Sequence, residues 1–390
     1  MKKLALALTL ACLLGPASTR AQNAYITNRN SSTVSVIDTA TDAVIATIPI
    51  GLGPFGVAVS PDGSKVYITN PPSNTVSVID TATNTVTATI SVGLPQICGL
   101  TCREMAVAVS PDRSKVYITN PGSTNTVSVI DTATNTVSAT IPIGPSPLGV
   151  AVTPDSSKVY VANSFFTSTV SVIDTTTNTV SARITTGPGP FGVAVSPDGA
   201  KVYVTNELNS TVSVIDTATN TVSATIPIGS FPSIFPAFPT GVAVTPDGSK
   251  VYVANSGSFN PSTVSVIDTA TNTVSATVPV GLGPVGVAVK PDSGKVYVAN
   301  EGANTVSVID TATNTVIATI PVGSFPVAFG VFIQPALRFA GVPGSNNCHG
   351  TSVSALATKF GGLDAAAAAL GFSNVQGLQD AIRAFCRDRH

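Results

Sequence analysis

Valine and isoleucine alternate with serine and threonine along most of this chain. In one clear stretch, Val86, Ala88 and Ile90 are each followed or preceded by a threonine. An apolar residue at every second position places the apolar side chains on one face of a β-strand. The pattern therefore predicts a protein built mainly from short β-strands.

This alternating pattern belongs to a longer unit, NTVSVIDTATNTV, which recurs seven times with small changes. The aspartates that mark its copies are Asp38, Asp80, Asp131, Asp174, Asp216, Asp268 and Asp310. Most neighbouring copies lie about 42 residues apart, and a near-constant period of this size indicates a repeat architecture.

Each full repeat predicts four strands. In one copy they are Gly56 to Ser60, Lys65 to Asn70, Thr75 to Ile79 and Thr85 to Val92. Seven such units are typical of a β-propeller, so the predicted fold class is all-β, with seven four-stranded antiparallel blades and a short α-helical C-terminal tail. The N-terminus begins with a second strand and the last repeat ends after a first strand, Val331 to Ile333. These two ends are expected to complete one shared blade, which removes two open sheet edges.

The second strands carry a recognisable motif. Val66 to Asn70 reads VYITN and Val202 to Asn206 reads VYVTN, and both resemble the namesake motif of the YVTN-repeat β-propeller family. The flanking GVAVSPDG and TVSVIDTATNTV segments are similar to that family as well, and the resemblance covers about residues 24–335. It implies a propeller found in exported and cell-surface proteins of bacteria and archaea, including surface-layer proteins. It does not imply one activity, because a fold alone does not fix function.

The ends of the chain differ in composition from the repeats. Residues 1–21 are predicted to be a signal peptide, with Lys2 and Lys3 before an apolar run and a cleavage site after Ala21. The propeller is expected over residues 22–335, a linker over 336–347 and a small helical tail over 348–390. The predicted location is therefore the periplasm, the cell surface or the exterior.

The tail is predicted to be helical because its apolar residues recur every three or four positions. Ser373 and Gln376 form a capping-box pattern at the start of its last helix. Four cysteines remain after the signal peptide, and an even number in an exported chain favours disulfides. The expected pairs are Cys98–Cys102 and Cys348–Cys386, each within one local segment.

The charges exclude some functions and argue against others. The formal net charge is −1 and only 10% of residues are charged, so binding to nucleic acid is not expected. Only His349 and His390 occur, both outside the repeats, so no Ser–His–Asp set can form within the propeller. The aspartate after the proline in each first turn, as in Asp62 and Asp155, is expected to stabilise the turn rather than bind metal. No cofactor or metal is predicted.

The loops point to one face of the disc. Turns between first and second strands, and between third and fourth strands, are near copies in every repeat. The loops on the opposite face differ between repeats and carry both long insertions, which suggests a specific function there. The candidate binding residues on this face are Arg29, Arg103, Glu104, Phe165, Phe166, Glu207, Phe231, Phe235, Phe238, Phe259 and Glu301. The same divergence is also expected of loops that simply drifted, and these phenylalanines could equally cover the blade ends.

Two functions remain open. The first is a non-enzymatic binding or surface-scaffold module, expected to be monomeric and to bind a protein or another cell-envelope component. The alternative is a hydrolase or lyase, lactonase-like, with a site among the same loops. The residues that lead into the first strands are mostly apolar and are expected to pack between blades: Phe55, Met105, Leu148, Phe191, Thr240, Val285 and Phe329.

Overall fold

The computed structural model describes residues 22–92, 105–122, 124–164, 168–228, 237–257 and 262–335, together with His349 and residues 352–354, 356–357, 362–369 and 374–387. Its backbone separates into two compact units, Gln22–Ala336 and a unit containing Leu337–His390. The predicted signal peptide lies outside the described residues. So do Cys98, Cys102 and Cys348.

The first unit is a seven-bladed β-propeller of antiparallel sheets. Blade 1 contains β1 (Asn23–Asn28), β2 (Thr33–Asp38) and β3 (Ala43–Pro49), and blade 2 contains β4 (Val57–Val59), β5 (Lys65–Asn70), β6 (Thr75–Asp80) and β7 (Thr85–Ser91). Blade 3 contains β8 (Val107–Val109), β9 (Lys115–Asn120), β10 (Thr126–Asp131) and β11 (Thr136–Pro142). Blade 4 contains β12 (Pro147–Val152), β13 (Lys158–Asn163), β14 (Thr169–Asp174) and β15 (Thr179–Thr185). Blade 5 contains β16 (Pro190–Val195), β17 (Lys201–Asn206), β18 (Thr211–Asp216) and β19 (Thr221–Pro227). Blade 6 contains β20 (Pro239–Val244), β21 (Lys250–Asn255), β22 (Thr263–Asp268) and β23 (Thr273–Pro279). Blade 7 contains β24 (Pro284–Val289), β25 (Lys295–Asn300), β26 (Thr305–Asp310) and β27 (Thr315–Pro321).

Burial follows the order of the strands in a blade. The second and third strands are buried on both faces, as in β5 and β6, because neighbouring blades pack on either side. The fourth strand, as in β11, alternates between exposed residues and half-buried or buried ones at the outer edge. The core therefore consists of apolar layers between the blades.

Side chains of the YVTN-like motif join several blades to the next. The Tyr160 hydroxyl donates to the Asn220 side chain of blade 5 at 3.1 Å. The Thr69 hydroxyl accepts from the Gly56 amide of its own blade at 2.8 Å and donates to the Met105 carbonyl of blade 3 at 2.6 Å. These side chains satisfy buried backbone groups that the short first strands leave unpaired. The motif is explained by packing between blades.

The two ends of the propeller complete blade 1, as the sequence predicts. The Tyr25 amide of β1 donates to the Phe332 carbonyl at 2.8 Å, and a bridge joins Ala24 to Ile333. The prediction of a regular first strand at Val331 to Ile333 is wrong, however.

Isolated bridges replace that strand for two reasons. Gly330 has a φ of +128°, which is outside the β region. The Phe329 and Val331 carbonyls also accept hydrogen bonds from Val57 and Val59 of blade 2, at 3.0 and 2.9 Å. We call residues 325–334 the closing segment, because they bond to two blades at once.

The second unit contains two helices, α1 (Leu363–Ala369) and α2 (Val375–Arg387). Leu378 and Ile382 are fully buried in its small core. The side chain of Asn374 accepts from the Gly377 amide at 2.9 Å and so caps α2, one residue after the predicted Ser373.

Cys386 forms a disulfide bond, and the pairing with Cys348 stays a prediction. Within the described part of the chain, no helix is long and apolar enough to span a membrane.

Candidate binding face

The antiparallel order of each blade places two kinds of connection on opposite faces of the disc. We call the face with the second-to-third and fourth-to-first connections the loop face. The face with the first-to-second and third-to-fourth connections is the turn face. On the loop face, β5 and β6 are joined by a 3₁₀ turn, Pro71–Ser73, and β17 and β18 by another, Glu207–Asn209. The two faces are compared below by the side chains that each exposes to solvent.

An aromatic cluster closes the central channel near the loop face. Phe329 of the closing segment packs against Phe55 with ring centroids 5.7 Å apart, and against Phe191 edge-on at 5.2 Å. All three side chains are buried, as are Met105, Thr240 and Val285, while Leu148 is half-buried. The expectation that these residues pack between blades agrees with this arrangement.

Below this cluster the channel is narrow because the innermost strands approach one another through glycine. A side chain at Gly149 would overlap the Phe191 carbonyl, and one at Gly56 would lie 2.6 Å from the Met105 carbonyl. The remaining cavity has a volume of about 30 Å³ and is lined by residues such as Val107, Val193 and Gly241. Small-molecule sites usually exceed about 300 Å³. This cavity can hold water but not a substrate.

Two predicted site residues meet on the loop face. The Arg29 guanidinium of blade 1 lies 3.7 Å from the Glu301 carboxylate of blade 7, and 6.0 Å from the centre of the Phe55 ring. A cation over an aromatic face is stabilised by the ring quadrupole. Burial raises the pKa of Glu301, and the nearby Arg29 lowers it in part. Arg29 and Glu301 therefore form one charged group beside the aromatic cluster.

The other predicted site residues are separate from this group or lie outside the described residues. Glu207 lies in the 3₁₀ turn after β17, and burial raises its pKa. Phe238 is half-buried, and its carbonyl accepts from the Ser256 amide at 2.8 Å. The predicted residues outside the described part of the chain are Arg103, Glu104, Phe165, Phe166, Phe231, Phe235 and Phe259.

Sequence reasoning missed a set of exposed apolar side chains on the loop face. Leu52, Leu208 and Leu282 are 67, 62 and 56% exposed, and Phe325 is 41% exposed. Leu52 and Leu282 occupy the same position in two GLGP connections. This repeated leucine between glycines was the signal that could have identified them. We call these four residues the apolar tips.

The turn face differs from the loop face because its polar side chains form hydrogen bonds within each turn and to the turns of the next blade. Asp155 accepts from the Thr153 hydroxyl at 2.6 Å and from the Ser157 amide at 3.0 Å. Four of the repeated lysines are bound to the next blade, as when the Lys158 ammonium donates to the Thr217 carbonyl at 2.9 Å. A groove of about 200 Å³ lies between these turns of blades 4 and 5. Its residues recur in other blades, so it is the ordinary space between successive turns.

We expect acid to weaken the propeller through these turn aspartates. Hydrogen bonds from Thr153 and Ser157 lower the pKa of Asp155 to about 2, from an ordinary value of about 4. A depressed pKa in the folded state contributes stability above about pH 4, and this contribution is lost as the pH falls through about 2. The melting temperature should therefore stay level down to about pH 4 and then fall.

Thermal melts between pH 7 and pH 2 would measure this effect. An Asp155→Asn variant should lose less stability over the same range, because its amide oxygen can still accept but does not titrate. A melting temperature that stays constant down to pH 2 would contradict the assignment of these carboxylates.

The described residues contain no group of three or more His, Cys, Asp or Glu side chains that could hold a metal ion. Among the described residues, the loop face combines the apolar tips with the Arg29–Glu301 pair and Glu207.

Comparison with known proteins agrees with the fold. Residues 168–320 match the family model described as lactonase, 7-bladed beta-propeller. Over 39 residues the chain is 59% identical to the PE-PGRS family protein PE_PGRS18 of Mycobacterium tuberculosis (strain ATCC 25618 / H37Rv), which is 10% of this chain and 8% of that protein. The match thus spans less than a tenth of that relative.

Solved structures resemble the whole ring. Hydrazine synthase of Kuenenia stuttgartiensis superposes with a TM-score of 0.65 at 25% identity, covering 74% of this chain and 92% of that one. A functionally unknown protein from Desulfotomaculum acetoxidans DSM 771 gives 0.63 at 19% identity, covering 80 and 100%. The dihydro-heme d1 dehydrogenase NirN in complex with DHE gives 0.55 at 17% identity, covering 76 and 63%. The chain is a seven-bladed β-propeller similar in part to the lactonase propellers, and its resemblance to the YVTN-repeat family stays a prediction.

Proposed function

We propose that this protein is a non-enzymatic binding module that holds a protein or another cell-envelope component on its loop face. The observation that carries the proposal is the contrast between the two faces. The turn face repeats the same hydrogen-bonded turns in blade after blade, whereas the loop face varies and presents the apolar tips. Contiguous exposed apolar patches mark interaction surfaces, and the proposal is that the apolar tips serve in this way on the loop face.

The channel supports binding rather than catalysis at the axis. Its mouth on the loop face is filled by Phe55, Phe191 and Phe329, and its lining is glycine and valine. General acid–base chemistry needs an ionisable group within hydrogen-bond reach of the substrate. Among the described residues, Arg29 and Glu301 are the charged pair beside the aromatic cluster, and they are engaged with each other.

A second function has one observation in its favour, the match of residues 168–320 to the lactonase propeller model. A hydrolase or lyase of this type would place its site among the loop-face connections, since the axial cavity is too small. Purified protein incubated with a panel of lactones and esters tests this directly. Turnover that is lost in an Arg29→Gln variant, with the fold retained, would favour the enzyme.

The binding proposal predicts that polar substitution of the loop face abolishes capture of a partner. One variant replaces Leu52, Leu208 and Leu282 with Ser, and another replaces Phe165, Phe166, Phe235 and Phe238 with Ser. An apolar anchor in an interface contributes on the order of 2 kcal/mol, so three or four losses together should reduce capture below detection. The measurement is a pull-down from the native envelope fraction, with a melting curve for each variant.

The matched control replaces Ile45 and Ile317, which are 52 and 51% exposed on the outer edges of blades 1 and 7. These residues are as apolar and nearly as exposed as the tips, but they lie away from the loop face. Their replacement with Ser should leave capture unchanged. Capture that survives in both folded loop-face variants, or that is lost only in the edge variant, would contradict the proposal.

A further inference from the structure

At one junction, between blades 7 and 1, the chain leads from β27 only into the closing segment and is not continuous with strands β1 to β3. Strands β1 to β3 of blade 1 come first in the chain and blade 7 comes last, so these two blades meet only through non-covalent contacts and the closing segment. Because the repeats are nearly identical, blade 7 could also dock onto the side of blade 2 that normally receives blade 1. That closure would give a six-bladed ring with β1 to β3 released.

The residues on the turn face of this junction depart from the repeat. Asp42 follows strand β2, and the other six blades have asparagine at the equivalent position: Asn84, Asn135, Asn178, Asn220, Asn272 and Asn314. The Lys295 ammonium of blade 7 lies 2.6 Å from the Asp42 carboxylate, and the Tyr297 hydroxyl donates to the same carboxylate at 2.5 Å. At two other junctions the tyrosine bonds to a neutral amide: Tyr25 donates to Asn84 and Tyr160 to Asn220.

The loop face of the same junction carries a second unique pair. Arg29 of blade 1 and Glu301 of blade 7 occupy the same position in their repeats, directly after the motif asparagine, and they lie 3.7 Å apart. Blade 2 has Pro71 at this position, so it offers Glu301 no cation. The side chains of both pairs are 16 to 29% exposed, so solvent screens them only partly.

We infer that these two ion pairs select the seven-bladed closure over the six-bladed one. Blade 7 finds a carboxylate for Lys295 and a guanidinium for Glu301 only on blade 1. On blade 2 it would meet Asn84 and Pro71, which offer Lys295 no carboxylate and Glu301 no cation. Complementary charges thus discriminate between otherwise similar docking surfaces, as they do between competing partners at interfaces.

The test refolds the full chain carrying Asp42→Asn together with Arg29→Gln. The Asp42→Asn change retains an acceptor for Tyr297, and asparagine occurs at this place in every other blade, so the individual blades should still fold. We expect the misclosed fraction, measured by protease release of residues 22–49, to rise about fivefold. This rise corresponds to about 1 kcal/mol. Refolding of the unchanged chain in 1 M salt should move in the same direction, since salt screens exposed charges.

Two further variants separate selection from simple loss of stability. The exchange of Arg29→Glu with Glu301→Arg should restore most of the correct closure that Arg29→Glu alone loses. The variant Asn220→Asp adds an equivalent acid beside Lys158 at a junction that the backbone already joins, so it should leave closure unchanged. A misclosed fraction equal to that of the unchanged chain in the double variant, or failure of the exchange to rescue, would overturn the inference.

Discussion

Ending the chain at Gly323 is expected to abolish the cooperative unfolding of the whole propeller, rather than weaken one blade. The closing segment accepts hydrogen bonds from Tyr25 of blade 1 and from Val57 and Val59 of blade 2. It also buries Phe332 completely. Truncation of one buried phenylalanine to alanine costs about 3–5 kcal/mol. Removal of the segment loses more than this and exposes strand edges at both sides of the gap.

The matched control for this truncation ends the chain at Ala336, which removes the helical unit and keeps the closing segment. Calorimetry on both proteins should show a sharp transition for the longer one, near that of the full chain. The shorter one should show a broad transition or none. Equal melting temperatures for the two truncated proteins would refute the role of residues 325–334.

A methyl group at Gly149 is expected to be among the most damaging single additions to the innermost strands. The new Cβ would overlap the Phe191 carbonyl and lie 3.0 Å from the Val193 amide nitrogen, and both belong to the backbone of the next blade. Backbone atoms can move away only if the two blades separate. Overpacking of this kind costs about 1–3 kcal/mol, and more where nothing can shift. Chemical denaturation of Gly149→Ala should show the loss.

Blade 3 supplies the control, because it already carries Ala106 where the other blades have glycine. The substitution Ala106→Gly should cost less than about 1 kcal/mol, through backbone entropy alone. A Gly149→Ala variant as stable as the unchanged protein would contradict the close approach of the inner strands.

The sequence predicts the blades well because the repeat specifies them locally. Alternation places Val86 and Ala88 correctly on the fourth strand, and turn chemistry places Asp62 and Asp155 in their turns. The closing segment departs from the repeat because Gly330 has a positive φ and because two blades share its carbonyls. These constraints exist only once the ring is closed, so a local pattern does not reveal them.

The candidate site was predicted in part. Arg29 and Glu301 are recognisable as rare charges on one face, but their contact joins residues from opposite ends of the propeller. A lysine at the start of a strand gives no sequence signal of a contact, yet the Lys158 ammonium group reaches a carbonyl of the next blade. The exposure of Leu52 was missed because leucine is usually buried.

The account depends most directly on which face of the disc contacts a partner. Hydroxyl-radical footprinting of the captured complex, read out by mass spectrometry, measures this residue by residue. Protection should fall on Leu52, Leu208, Leu282 and Phe325, while Pro154 and Pro197 on the turn face and Ile317 on the outer edge remain as reactive as in the free protein. Protection confined to the turn face or the outer edge, with the loop face unchanged, would contradict the proposed function.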